Sequence, residues 1–332
     1  MNRGMQKLEC KARDKPYVIA LVGAGQLGSR YLQGLASCKV PIEIWVADPS
    51  EASLATARAR WEEVASIPHS HTVRYSTTLN DLPASLDLCL VTTTADVRLQ
   101  VVKQVQSQCN VCYWVLEKVL AQSTAQLADL EDSLKNAQGV WVNTARRMVE
   151  WHQHTHKVLP NSGVFQIKGS GGNWGLACNS IHFIDLVAWW TSEVLEKVNA
   201  SGLEHWNPSK RGGFWEVNGS LLAHYSGGSE LELVSSQKLS KPFTMHFKSA
   251  QGEYLLNESK GTFIGPNGVD IPGRVEFQSE ITGRLVDQIL LDGTCSLPKL
   301  SESAQMHKIL IESLLQHWNE TQQRNDTVLP IT

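Results

Sequence analysis

Three glycines that follow an apolar run form the first group of residues able to support chemistry. Residues Tyr17–Val22 predict a buried strand, and Gly23, Gly25 and Gly28 follow it just before a helical pattern begins. Gly23 permits a tight turn, Gly25 lets a pyrophosphate approach the backbone, and Gly28 lets the helix pack on the strand. A helix N-terminus also offers free N–H groups to phosphate. This order favours a dinucleotide-binding loop over a chance glycine turn, and the loop includes Gln26 and Leu27.

An acidic residue at the end of the next predicted strand completes this pattern. Asp48 lies twenty positions after Gly28, where a carboxylate accepts hydrogen bonds from adenosine ribose hydroxyls and repels a 2′-phosphate. Pro49 and Ser50 offer no Arg to a 2′-phosphate. The sequence therefore favours NAD over NADP, with Thr93 predicted as a further cofactor contact.

The pair Glu117-Lys118 ends another predicted strand. Open α/β sheets bind ligands at the carboxyl ends of their strands, so this position favours function. A Lys there can hydrogen-bond a substrate hydroxyl and stabilise or transfer a proton during hydride transfer, which makes Lys118 a catalytic candidate. Glu117 is assigned to the cofactor site. The alternative is a solvated Glu-Lys pair at a strand end.

A glycine-rich segment leads into an apolar helix that carries polar residues in its first turns. His182 and Asp185 lie on one stripe of this helix by their i, i+3 spacing, and Asn179 can cap its start. A His and an Asp in an apolar helix need polar partners or a wet cleft. We therefore take His182 as a second catalytic candidate and Asn179, Asp185 and Trp174 as substrate contacts. A structural His with an Asp at the helix start remains the alternative.

The order of elements predicts two domains. Strands alternate with helices up to about Arg147, which predicts a doubly wound, mostly parallel sheet over 1–147. Strand-like runs then follow one another, with helices only at 181–190 and 301–318, so 148–332 is predicted to be an α+β domain with an open, mostly antiparallel sheet. The fold class is therefore α/β with a second, α+β domain for substrate binding and oligomerisation.

Composition restricts the kind of partner. The 332 residues are 42% hydrophobic and 19% charged, with a net charge of -3, as expected of a globular chain. Without a basic block, nucleic acid is a poor partner, and without a long apolar run no membrane span is expected. The first fifteen residues lack the apolar core of a signal peptide, and the odd count of seven Cys suits a reducing cytoplasm.

Several sites are weighed and set aside. His152, His154 and His156 lack a carboxylate or Cys to complete a metal site, so a solvated polar face is expected and no metal is predicted. Arg146 and Arg147 can meet substrate or cofactor, but a surface Arg pair is the commoner case.

The ordered set of motifs resembles the Gfo/Idh/MocA family, the glucose-fructose oxidoreductase and inositol dehydrogenase group, over nearly the whole chain. The matching segments are Gly23–Gly28, the pair Glu117-Lys118, His182–Asp185 and the late Leu297-Pro298 with Glu302–Ala304. The resemblance implies an NAD(P)-dependent dehydrogenase or reductase acting on a CH–OH group of a sugar, polyol or nucleotide-linked sugar. It also implies that Lys118 and His182 handle the proton and that the protein is a homodimer or homotetramer.

Two positions depart from this family pattern. Val119 follows Lys118 where the family usually has Pro, and Cys178 stands where it usually has an Asp four residues before the His. The loss of that Asp leaves two alternatives open. One is a reductase of an imine or a non-sugar carbonyl, and the other is a non-catalytic dinucleotide-binding sensor.

Overall fold

Two β-sheets organise the protein. The computed structural model describes residues 15–64, 68, 70–160, 163–238 and 240–332. Nearly all of the N-terminal stretch in which no export signal was predicted lies outside these ranges. The first sheet contains β1 (Tyr17–Val22), β2 (Ile42–Ala47), β3 (Thr72–Ser76), β4 (Ser85–Val91), β5 (Asn110–Glu117) and β6 (Gly139–Asn143).

The first sheet has the order expected of a doubly wound fold. Its strands lie in the order β3-β2-β1-β4-β5-β6, and β1 pairs in parallel with both β2 and β4. The helices that alternate with these strands are α1 (Gly28–Leu35), α2 (Glu51–Glu62), α3 (Ala95–Gln108) and α4 (Thr124–Leu134). Apolar residues such as Ile19, Leu21 and Leu88 are fully buried, as in a sheet covered on both faces. The predicted parallel α/β architecture is confirmed.

The second sheet has eight strands in the order β14-β13-β12-β11-β7-β10-β9-β8. Their bounds are β7 (Gln166–Gly171), β8 (Leu195–Pro208), β9 (Trp215–Tyr225), β10 (Glu230–Ser235), β11 (Thr244–Ser249), β12 (Gly252–Asn257), β13 (Thr262–Ile264) and β14 (Asp270–Pro272). Only the pairing of β7 with β10 is parallel among the pairs described for this sheet. The predicted mostly antiparallel sheet is thus confirmed.

Four further helices accompany these sheets, namely α5 (Glu150–His156), α6 (Leu176–Thr191), α7 (Gln278–Asp292) and α8 (Leu300–Gln322). Helix α6 packs against β9 and β10. On β10 the side chains alternate, with Leu231 and Leu233 buried and Glu230 and Glu232 half-buried. No helix in the described ranges is both long and apolar enough to cross a membrane.

The described residues group into two compact units. The first contains the residues up to Thr92 together with Gln106–Trp114 and Gln278–Cys295, and the second contains Thr93–Val105, Val115–Phe277 and Ser296–Thr332. Helix α7 therefore returns from late in the chain to the unit that holds the glycine loop.

Helix α7 crosses α1 at a contact between small residues. A Cβ built on Gly34 would lie 2.7 Å from the carbonyl oxygen of Ser279, and one on Gly283 would lie 2.1 Å from Ser37 Oγ. The two backbones approach so closely because neither glycine carries a side chain.

Candidate active site

The glycine loop joins β1 to α1 and combines one close backbone contact with open space. A Cβ on Gly28 would lie 1.8 Å from the carbonyl oxygen of Gly23, so only glycine lets α1 start so close to β1. A Cβ on Gly25 would meet nothing within 4 Å, which leaves open space above this part of the loop. Helix α1 begins without a side-chain cap, so its N-terminus remains suited to a phosphate group.

Asp48 is tied to this loop. Its Oδ2 accepts a hydrogen bond of 2.6 Å from the backbone N–H of Ala24, and its Oδ1 accepts one of 2.8 Å from that of Ser50. Carboxylate oxygens accept more than one hydrogen bond, so Asp48 retains acceptor capacity for a ribose hydroxyl. Leu27 is exposed, and Gln26 accepts hydrogen bonds from Arg60 through its carbonyl and its Oε1.

Helix α6 starts in an unusual way, and this start shapes the second group of candidate residues. Gly175 precedes the helix in the left-handed region, with φ of 76°, and provides no side-chain cap. Glu216 on β9 caps the helix instead, because its Oε2 accepts from the N–H of Ala177 at 3.0 Å and its Oε1 from that of Cys178 at 3.2 Å. A carboxylate at a helix N-terminus is favoured by the free N–H groups and the helix dipole.

Lys118 reaches from the end of β5 to this helix start. Its Nζ donates to Asn179 Oδ1 at 3.0 Å and to the carbonyl oxygen of Cys178 at 3.3 Å. Burial lowers the pKa of Lys118, while the neighbouring Cys178, Glu117 and Glu216 act to raise it. Desolvation and the neighbouring negative charges thus act on the pKa of Lys118 in opposite directions, as is common for lysines at functional sites.

His182 lies one turn along α6 from Cys178. Its Nδ1 is 3.0 Å from the carbonyl oxygen of Thr144, and because a carbonyl only accepts, Nδ1 carries the proton. Burial, followed by the charges of Lys118 and Arg146, holds the pKa of His182 well below its usual range. The ring is therefore neutral at pH 7, with Nε2 as a proton acceptor.

Asp185 is fully buried and faces protein groups. Arg147 donates to it through Nε at 3.0 Å and through an Nη at 2.6 Å, and Thr144 Oγ1 donates at 2.6 Å. The carboxylate thus fixes Thr144, whose carbonyl orients His182. This arrangement favours orientation of His182 by Asp185 over the substrate contact expected from the sequence.

Both arginines of the 146–147 pair lie inside ion-pair networks, so their interpretation as a surface pair is wrong. Arg146 makes a two-pronged contact with Glu258, with both distances 2.9 Å, and its guanidinium lies 4.1 Å from the centre of the Phe183 ring. His152 is also buried, 3.2 Å from Glu258, which corrects the expectation of a solvated side chain at this position, whereas His154 is exposed and His156 is half-buried. Sequence reasoning missed Glu258 because it lies more than 100 residues from its partners.

Trp174 belongs to an aromatic cluster beside this network. Its ring contacts Phe183 and Phe243 edge to face, at 5.5 and 5.0 Å between ring centres, and its Nε1 donates to the carbonyl of Val234. Trp174 is half-buried, so part of its ring stays accessible for a ligand.

The segment after Lys118 is held by a buried arginine that the sequence did not single out. Arg98 on α3 donates to the carbonyls of Val119, Leu120 and Thr93. The Lys118–Val119 peptide bond is cis. Thr93 Oγ1 is buried without a hydrogen-bond partner among the described residues, so it retains the capacity to bind a ligand atom.

The structure brings Lys118, Asn179 and His182 into one neighbourhood, with Trp174 on the segment that leads into α6. Glu117 lies beside Lys118 but is buried, and Asn143 Nδ2 donates to it at 2.6 Å. Glu216 was missed, because nothing in the local sequence shows that β9 passes the start of α6. The carboxylate of Glu216 therefore lies beside Cys178, the residue that occupies the Asp position of the family pattern.

Comparison with known proteins supports the fold. No protein-family model matches the chain, and no curated protein matches it. An oxidoreductase from Agrobacterium radiobacter, solved with NAD+, L-tartaric acid and magnesium, matches with a TM-score of 0.70 and 14% identity over 91% of this chain and 97% of that chain. Levoglucosan dehydrogenase, solved with NADH and L-sorbose, matches with a TM-score of 0.69 and 13% identity over 91% and 97%.

A regulatory protein has the same fold. The transcriptional regulator Gal80p from Kluyveromyces lactis matches with a TM-score of 0.66 and 14% identity over 92% of this chain and 90% of that chain. The structural neighbours are mainly oxidoreductases of the Gfo/Idh/MocA type, so the fold that the resemblance implies is confirmed.

Proposed function

We propose that this protein is an NAD-dependent oxidoreductase that transfers a hydride between the nicotinamide and a hydroxyl or carbonyl group of a sugar, polyol or nucleotide-linked sugar. One observation carries the proposal: the Lys118 ammonium binds the first turn of α6 through Asn179 and the carbonyl of Cys178, and His182 lies one turn further along the same helix. These are the two groups that alcohol oxidation needs, a base for the hydroxyl proton and a cation for the reacting oxygen.

The residues of the glycine loop fit NAD. Gly23, Gly25 and Gly28 would hold the pyrophosphate, Asp48 would bind the ribose, and the orphaned hydroxyl of Thr93 would donate to the cofactor. When bound, NAD supplies the hydride acceptor. The two oxidoreductase structures compared above contain NAD+ and NADH, which supports this assignment.

The chain's own residues then handle the proton and the oxygen. His182 accepts the hydroxyl proton at Nε2, because Nδ1 is committed to Thr144. Lys118 donates a hydrogen bond to the reacting oxygen and stabilises its negative charge. Asp185 acts through Thr144 to keep the ring of His182 in place. In the reverse direction the protonated His182 returns its proton to the alkoxide.

A polyhydroxylated substrate fits the groups around this pair. Asn179 and the half-buried ring of Trp174 can bind hydroxyls and the apolar face of a sugar, respectively. The neighbours solved with L-tartaric acid and L-sorbose support a small, hydroxyl-rich ligand. We place the protein in the cytoplasm because Cys38, Cys89 and Cys109 are free and buried, and we propose a homo-oligomer on the family resemblance.

A non-catalytic dinucleotide sensor is the second candidate. It is favoured by the likeness to the regulator Gal80p and by Cys178 and Val119, which depart from the family pattern. Retention of both Lys118 and His182 favours the enzyme. An imine or non-sugar carbonyl reductase on the same scaffold would use the same two residues.

The experiment is a binding measurement followed by a turnover scan. NADH and NADPH are titrated against the purified protein by nicotinamide fluorescence, and NAD+ reduction is then followed at the nicotinamide absorbance band with sugars, polyols and nucleotide-linked sugars. Tighter NADH binding with turnover supports the proposal. Binding without turnover on these compounds or on imines supports the sensor, and no binding of either nucleotide rejects all three candidates.

A further inference from the structure

The start of α6 depends on a carboxylate that comes from a different element. Gly175 leaves the helix uncapped, and Glu216 on β9 supplies both of its carboxylate oxygens to the N–H groups of Ala177 and Cys178. Glu216 therefore fixes the turn of helix that contacts Lys118.

Lys118 binds this same turn. Its ammonium donates to the carbonyl of Cys178 and to the side chain of Asn179. The first turn of α6 is therefore bound by Glu216 through its backbone N–H groups and by Lys118 through a backbone carbonyl and the Asn179 side chain. A Cβ on Gly175 would lie 3.0 Å from Asn179 Nδ2 and 3.3 Å from Glu216 Oε1. The glycine thus keeps the space in which these two side chains lie close together.

We propose that Glu216 is a positioning residue for the reaction, which fixes the turn of α6 that Lys118 binds and places a carboxylate beside that turn. Its carboxylate comes from β9, whereas the family pattern would place one on α6 at position 178. The inference rests on the proposed function, because it gives Glu216 its role through the catalytic Lys118.

The charge balance around Lys118 supports this role. Glu117 comes from β5, Cys178 and His182 from α6, Glu216 from β9, Arg146 from the turn after β6 and His307 from α8. Burial lowers the pKa of Lys118, whereas Cys178, Glu117 and Glu216 act to raise it, and Arg146 lowers it further. Among these groups, Glu216 is the carboxylate that binds the turn of α6 to which Lys118 donates.

The test measures the protonation of Lys118 directly and needs neither cofactor nor substrate. Acetic anhydride acylates only the neutral amine, so the acylation rate of Lys118, followed by peptide mass spectrometry across a pH series, gives a titration midpoint. In Glu216→Gln the midpoint should fall by about one pH unit, which is about a tenfold faster acylation at a pH below both midpoints. Glu232→Gln on the neighbouring strand β10 removes a carboxylate that pairs with Lys168 and should leave the midpoint unchanged.

A second variant separates charge from helix capping. Glu216→Gln combined with Cys178→Asp places a carboxylate on α6 itself and should return the midpoint towards that of the wild type; it also serves if Glu216→Gln alone does not fold. A midpoint that stays at the wild-type value in folded Glu216→Gln, or stays low in the double variant, overturns the proposal. A lower melting temperature alone would mean that Glu216 only caps the helix.

The two proposals fail in different ways. An unchanged midpoint rejects the role of Glu216 and leaves the oxidoreductase standing. A shifted midpoint in a protein that turns over no substrate rejects the oxidoreductase and leaves the electrostatic link between Glu216 and Lys118.

Discussion

The roles of Lys118 and His182 are set by what surrounds each side chain. His182 donates from Nδ1 to a backbone carbonyl and is kept neutral by burial and by two nearby cations, so it can only take up a proton at Nε2. Lys118 lies near two carboxylates and remains the hydrogen-bond donor. Enzymes often separate acid and base roles through such contrasting environments.

Removal of the lysine ammonium tests this division. Lys118→Ala should lower turnover by at least about 10²-fold while the affinity for NADH is nearly unchanged, because the group acts on the transition state. Steady-state kinetics and a fluorescence titration give the two values. Lys168→Ala, which removes an exposed Lys paired with Glu232, is the matched control and should retain full turnover. Equal turnover in Lys118→Ala would remove this residue from the mechanism.

The preference for NAD depends on one carboxylate. Asp48→Ser combined with Pro49→Arg removes the ribose acceptor and adds a cation for a 2′-phosphate, so the affinity ratio of NADH to NADPH should shift towards NADPH. Titration of both nucleotides against the variant and the wild type measures this ratio. No shift would mean that Asp48 is wrongly assigned and serves only to bind Ala24 and Ser50.

At the scale of elements, the unit with the glycine loop depends on the crossing of α1 and α7. Both helices carry a glycine at the crossing, and a Cβ on Gly34 would lie 2.7 Å from a backbone oxygen of α7, which cannot rotate away. Packing of this kind fixes the last turn of α1 against α7.

Gly34→Ala should lower the free energy of unfolding by about 1–3 kcal/mol, as overpacking does, although Ala normally stabilises a helix interior relative to Gly. Urea denaturation measures the change. Gly212→Ala is the control, since a Cβ there meets nothing within 4 Å and the substitution should be nearly neutral. A stabilised Gly34→Ala variant would contradict the close crossing.

At the scale of the whole molecule, three buried histidines make stability depend on pH. Burial is the main cause that lowers the pKa of His152, His182 and His307, in the last case to about 3. The unfolded chain binds protons at these positions below about pH 6.5, whereas the folded protein does not. The contribution of these histidines to stability is therefore complete above that pH and is lost as the pH drops from there towards their folded-state pKa values.

Each such histidine should cost up to about 1.4 kcal/mol of unfolding free energy per pH unit below about pH 6.5. Urea denaturation at a series of pH values between 7.5 and about 4.5 measures the slope. In His307→Gln the slope should be smaller by about 1.4 kcal/mol per pH unit, which corresponds to one proton fewer taken up on unfolding. A slope equal to that of the wild type would contradict the assignment of His307 as neutral in the folded state.

Elements that depend on neighbouring residues could be predicted well from the sequence, whereas contacts between residues far apart in the chain could not. The strand and glycine loop at 17–28 were predicted because propensity and spacing agree within one short segment. Helix α7 was missed although Ile281, Leu285 and Ile289 have helical spacing, because strand-like runs dominate the sequence before it. In strand β8, three register shifts in the pairing with β9 break the alternation of buried and exposed residues, so no period of two marks this strand in the sequence.

The candidate site shows the same limit. Lys118, Asn179 and His182 were found because each lies at the end of a strand or the start of a helix. Glu216 and Glu258 reach the site only through tertiary packing, and no local pattern marks them.

The most direct test of the central claim is a deuteride-transfer measurement. The protein is incubated with NADH deuterated at both C4 positions and a pool of small carbonyl compounds that includes ketoses, keto-polyols and oxidised nucleotide-linked sugars, and the products are screened by mass spectrometry. We predict one carbon-bound deuterium in a polyhydroxylated product with the wild type, and at least about 10² less label with Lys118→Ala. No label above background with the wild type, in a protein that binds NADH, would contradict the account and leave a dinucleotide sensor.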